Sequence, residues 1–67
     1  MTYNSAKLIK IGDTLRAKDG YLFTVEKIEE KTDEANINNY LVFKGTCDHG
    51  FAVHYDHKKI KYIAQQR

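Results

Sequence analysis

Asp19-Gly20 stands between two segments of strand-like patterning, and this dipeptide constrains the chain more than any other feature. Asp-Gly tolerates the positive φ values that a type I′ hairpin turn needs at both central positions. Before it, Thr14-Leu15-Arg16-Ala17-Lys18 alternates, with Leu15 and Ala17 on one face and Thr14, Arg16 and Lys18 on the other. After it, residues 21–28 are rich in aromatic and β-branched side chains. Phe23 and Val25 share a face, whereas Ile28 is out of phase with them. A β-bulge near Glu26-Lys27 returns Ile28 to the core. The chain is expected to be built from hairpins.

Further strands are expected at Tyr40-Leu41-Val42-Phe43-Lys44, at Phe51-Ala52-Val53-His54-Tyr55 and, shorter, at Ile60-Lys61-Tyr62-Ile63. Phe51, Val53 and Tyr55 share one face of their strand. Residues 29–39 hold only Ala35 and Ile37 as apolar residues and read as a long loop, with one helical turn around Thr32–Ala35 as an option. Asp56-His57-Lys58-Lys59 reads as a tight polar turn. Residues 1–6 are expected to be frayed, 7–63 to form one small β-barrel domain, and 64–67 to be a polar tail. The expected core is Leu8, Ile11, Leu15, Phe23, Val25, Ile28, Leu41, Phe43, Phe51, Val53, Ile60 and Ile63, with Tyr55 and Tyr62 at its edge. The chain has 67 residues and one Cys, so an internal disulfide cannot supplement that core. The expected fold class is all-β, a five-stranded barrel, since closure removes the sheet edges that a short chain cannot otherwise protect.

The run Ile11-Gly12-Asp13-Thr14-Leu15-Arg16-Ala17-Lys18-Asp19-Gly20, continued by Tyr21–Ile28, resembles the opening of SH3-like small barrels such as the KOW, Tudor-like and plasmid-type dihydrofolate reductase barrels. Asp56-His57-Lys58-Lys59 is similar to the single helical turn that these barrels place before their last strand. The resemblance covers residues 8–63 in outline. It departs from the KOW pattern in lacking a second Gly after Gly20, and it lacks the Val-Gln-Ile-Tyr core of the plasmid reductase, so no catalytic residue carries over. It implies a five-stranded SH3-like barrel, with one helical turn in the 29–39 loop or at 56–59, and a tendency to bind nucleic acid or protein.

All three histidines and the only cysteine lie within residues 47–57. Cys47, His49, His54 and His57 are candidate ligands for a zinc-like ion, because thiolate and imidazole suit it and Cys-x-His and His-x-x-His place donors near one another. The competing reading is a polar hairpin turn with one histidine on a solvent face. One cysteine beside a histidine, without an oxyanion hole, falls short of a nucleophile–base pair. No Gly-rich phosphate loop, paired Cys-x-x-Cys or nucleophile elbow occurs. No enzymatic activity and no cofactor are expected.

Net charge is only +2, but it is unevenly spread. Residues 1–18 carry +3 through Lys7, Lys10, Arg16 and Lys18 against Asp13, and residues 54–67 carry +3 through Lys58, Lys59, Lys61 and Arg67 against Asp56. Residues 26–34 carry −3. In an SH3-like barrel the first and last strands are neighbours, so the two basic ends form one face. The expected function is a small non-enzymatic binding module, an accessory or inhibitory protein acting through a protein–protein interface in which exposed tyrosines take part. The alternative is a nucleic-acid-binding barrel in which Lys7, Lys10, Arg16, Lys18, Lys58, Lys59 and Lys61 track phosphates and Tyr21, Tyr40, Tyr55 and Tyr62 stack on bases. Homo-oligomerisation is a third expectation, because so small a core gains from association. No apolar run is long enough to span a bilayer. The start of the chain lacks the layout of a secretory signal, so a cytoplasmic location without membrane partners is expected.

Overall fold

The computed structural model describes residues 1–67. The chain runs through α1 (Tyr3–Ala6), β1 (Thr14–Ala17), β2 (Leu22–Thr32), β3 (Asn39–Cys47), β4 (Ala52–Asp56), a 3-10 turn η1 (His57–Lys59) and β5 (Ile60–Gln65). The strands form one antiparallel sheet in the order β4-β3-β2-β1-β5. The fold is mostly β, as expected. No helix is long and apolar enough to cross a membrane.

Two hairpins share one turn geometry. In the first, Gly20 N donates to Ala17 O and Ala17 N to Tyr21 O; in the second, Gly50 N donates to Cys47 O and Cys47 N to Phe51 O. Each loop has three residues, and only its last, Gly20 or Gly50, has positive φ (102° and 90°). This is a type I turn closed by a left-handed glycine. It replaces the expected two-residue type I′ turn, because Asp19 keeps a negative φ and hydrogen-bonds forward through its side chain to Tyr21 N.

The bulge falls where the pattern placed it. Val25 pairs with Gly45 and Lys27 with Lys44, leaving Glu26 as the extra residue. Phase is restored beyond it, and Ile28 packs against the core half-buried. That core joins Leu15, Phe23, Val25, Leu41, Phe43, Cys47 and Ile60 to Ala6 and Ile9. Burying each large apolar side chain contributes about 1.5–3 kcal/mol.

Several expectations are corrected. The sheet is not closed: β4 and β5 share no ladder, and η1 bridges them instead. The side chains of α1 help cover the core at the open side, with Ala6 fully buried and Met1 N bonded to Ile60 O. Residues 1–6 are therefore ordered by a helix whose N-cap is Thr2, whose hydroxyl accepts from Ser5 N. The long 29–39 loop shrinks to residues 33–38, since β2 and β3 stay paired out to Thr32 and Asn39. The helical turn lies at η1, not in this loop. The polar tail is partly strand, and Arg67 N reaches back to Asp13.

The core list changes for a local reason. Residues 7–12 turn rather than extend, so strand alternation does not apply to them. Ile9 points inward, while Leu8 and Ile11 are 70% and 58% exposed. Asp13 fixes this turn: its buried carboxylate accepts from Lys10 N and Arg67 N, both at 2.9 Å. Those two bonds hold its carboxyl below the usual carboxylate range. Phe51 also leaves the core and is 47% exposed.

Candidate functional site

The two glycine turns lie side by side, tied by Asp48 N donating to Leu22 O at 2.8 Å. Each left-handed glycine is followed by an aromatic residue, Tyr21 or Phe51. Both rings emerge at the same end of the sheet, where little core remains to cover them. Tyr21 packs edge-on to Phe51 with ring centroids 5.4 Å apart, and edge-on to His49, also at 5.4 Å. His49 and Phe51 stack at 6.3 Å. The result is a three-ring patch in which His49 and Phe51 are exposed and Tyr21 is half-buried against the core. Beneath it, Tyr55 packs on Phe23 and donates from its hydroxyl to Asp19 at 2.8 Å. Burial first, and then the Asp19 carboxylate, push the Tyr55 phenol up to about 12.

Arg16 borders this end. Its guanidinium donates to Gly20 O at 2.7 Å and to the Tyr62 hydroxyl at 3.3 Å. Tyr62 is directly across from Arg16 in the β1–β5 ladder and is exposed. Lys18 N donates to Lys59 O, which sets the end of β1 beside η1. Lys18, Lys58, Lys59 and Lys61 are exposed. None of these lysines, nor Arg16, has a carboxylate within salt-bridge distance; Lys44 pairs with Glu29 at 2.6 Å, and His49 Nε2 lies 3.9 Å from Asp48 Oδ1. Lys7 and Lys10 lie apart from them, Lys7 over the Tyr3 ring and Lys10 at the Asp13 turn. Tyr40 is also separate: it lines a polar groove of about 660 Å³ with Tyr3, Asn39 and His57.

The Cys/His set does not converge, and no group of three or more metal-ligating side chains exists. Cys47 is buried in the core. His57 is buried under α1, its Nδ1 accepting from Leu41 N at 3.2 Å and its ring edge-on to Tyr3. His49 belongs to the aromatic patch, and His54 lies exposed on β4. The four sit on different sides of two strands and a turn, because their spacing in sequence crosses both a hairpin and η1.

Phe51 is the patch residue that strand alternation assigned to the core. The available signal was its repeat with Tyr21: both follow a Gly that closes a turn containing Asp. Comparison with protein-family models, with curated proteins and with solved structures returns no match.

Proposed function

We propose that the chain is a small non-enzymatic binding module that docks a protein partner on the Tyr21–His49–Phe51 patch, acting as an accessory or inhibitory protein. The observation that carries this reading is Phe51. A large apolar ring stays half-exposed, held by two other aromatic groups rather than by the core. Aromatic side chains bring large contact area at low entropy cost, and with Arg they dominate the energetics of protein interfaces. Arg16 and Tyr62 extend the surface along β1 and β5. The strand order, with a 3-10 turn between β4 and β5, supports an SH3-like frame for this module. The lone buried thiol suits a reducing, cytoplasmic setting.

The test is affinity capture from extracts of the producing cells, followed by direct titration of the purified captured protein. Phe51→Ala with Tyr21→Ala is expected to weaken binding by at least about tenfold, the scale of a hot-spot residue. A captured protein that binds wild type and variant equally would rule out the patch.

A second reading rests on a separate observation, the run of cations without acid partners on β1, η1 and β5. Such a run supports binding to nucleic acid, with Tyr62 as a stacking ring. Single-stranded DNA and RNA would then bind with affinity that falls steeply with salt and drops when Lys58, Lys59 and Lys61 become Gln. Absence of salt-dependent binding would remove this reading.

A further inference from the structure

β4 and β5 are the two outer strands of an open sheet, and they are protected differently. At β5 the edge carries Lys61 and is preceded by Lys58 and Lys59, and its ladder with β1 is broken by two register shifts. Charge and irregularity of this kind block strand addition. β4 is less guarded: Lys58 and Lys59 flank it too, but Ala52-Val53-His54-Tyr55-Asp56 carries one charge, at its last residue, and contains no Lys, no Pro and no register shift.

The hydrogen-bond phase of β4 shows which backbone groups are free. Cys47 N donates to Phe51 O at 3.0 Å, and the register runs on through Gly45–Val53 and Phe43–Tyr55. Opposed antiparallel residues alternate between bonded and non-bonded pairs. Phe51, Val53 and Tyr55 therefore turn their N–H and C=O groups to β3. Ala52, His54 and Asp56 turn theirs to the outer edge. Ala52 and His54 are exposed, and a cleft of about 450 Å³ beside the edge is lined by His54 and Tyr55 together with Lys18, Asp19 and Lys59.

We propose that the β4 edge is the interface with a second copy of this chain, joined antiparallel about a two-fold axis at His54. The bonded phase requires residues with outward backbone groups to face each other, and this register satisfies it. His54 faces His54, Ala52 faces Asp56, and Val53 faces Tyr55 on the inner face. Val53–Tyr55 is a β-branched–aromatic pair in the closer, non-bonded position, where cross-strand pairs contribute most. Asp56, the one acid of β4, faces Ala52 rather than another acid. The basic η1 of each copy falls toward the β3–β4 turn of the other, which holds Asp48. Two five-stranded sheets become one sheet of ten strands, and the unguarded edge disappears.

Sedimentation velocity on the full chain near neutral pH, over about three decades of concentration up to about 1 mM, is the test. The mass is expected to rise from 7.8 kDa toward twice that value. His54→Lys sets two ammonium groups against each other and is expected to weaken the dimer by about two- to fivefold. Lys61→Gln on β5 is expected to leave it unchanged. As a second arm, His54→Cys treated with a short bis-maleimide should form a covalent dimer, since facing Cα atoms of a bonded pair lie about 5.5 Å apart and the reagent spans the wider side-chain gap of that position. Lys61→Cys should not. A chain that stays monomeric at the highest concentration, a dimer indifferent to His54→Lys, or a His54→Cys chain that does not cross-link would each overturn the proposal.

Discussion

Gly45 is the position where one added methyl group should do most damage. It is buried in β3 opposite Val25, beside the bulge at Glu26. A Cβ built there lies 2.8 Å from the carbonyl carbon of Thr24, nearer still to its oxygen, and 3.3 Å from Phe23 Cδ2. The obstacle is backbone, so no side-chain rotation relieves it. Gly45→Ala must push β2 and β3 apart where the sheet bends. Overpacking costs about 1–3 kcal/mol, and a ladder group left buried and unpaired costs about 1–3 kcal/mol more. The sum, about 2–6 kcal/mol with a midpoint of about 4, compares with a total stability of about 3–10 kcal/mol at 0.05–0.15 kcal/mol per residue. In a domain of this size each kcal/mol moves Tm by about 4–8 °C. Thermal unfolding followed by circular dichroism should show a fall of about 15 °C or more, or no folded state. Gly50→Ala is the control. Its φ of 90° is strained for alanine, but nothing lies within 4 Å of the added carbon, so only about 1–2 kcal/mol is expected. If Gly45→Ala melts within about 5 °C of wild type, or above Gly50→Ala, the close approach of β2 and β3 is wrong.

The Asp13 carboxyl titrates below its unfolded value near 3.9 because Arg67 N and Lys10 N donate to the charged form. Its stabilisation is therefore present above about pH 4 and is lost as pH falls through the lower folded value. Urea unfolding of wild type and Asp13→Asn should differ by about 1–3 kcal/mol near neutrality and converge in strong acid; a gap that persists there would contradict the assignment. Tyr55, pushed up to about 12, stabilises the fold fully below its unfolded value near 10, and that contribution fades as pH rises toward 12. Asp19→Asn should lower the Tyr55 midpoint, read by NMR at its ring, while leaving it above 10 through burial. An unchanged midpoint would show that Asp19 does not act on the phenol.

The strands were legible wherever one face is buried along one segment, as in Leu15 and Ala17 or Phe23 and Val25. The outer arm of the β2–β3 hairpin was not. There Glu29 pairs with Val42, Glu30 with Leu41 and Lys31 with Tyr40, so the apolar side chains sit on one strand and the polar ones on the other. A pattern read along β2 alone then looks like a loop. Asp13 hid for a different reason: beside Gly12 it reads as a turn signal, and its role depends on Arg67, 54 residues away. The Cys/His cluster shows the converse error, because closeness in sequence across a hairpin and a 3-10 turn sends side chains to different sides.

The aromatic patch follows from the same arithmetic of size that limits the core. Only 14 of 67 residues are buried, and the interior thins toward the two glycine turns. Tyr21 and Phe51 continue the inward faces of Phe23 and Val53 by one more step of two residues. That step carries Phe51 past the end of the core, while Tyr21 keeps partial cover from it. Alternation therefore identified the correct face for Phe51 and missed that the face had run out of cover. An inward-facing aromatic directly after a turn-closing glycine is thus placed at the rim of a small sheet, where three rings can shield one another only in part. The surface left over is apolar and bordered by Arg16, which is the property on which the binding reading depends.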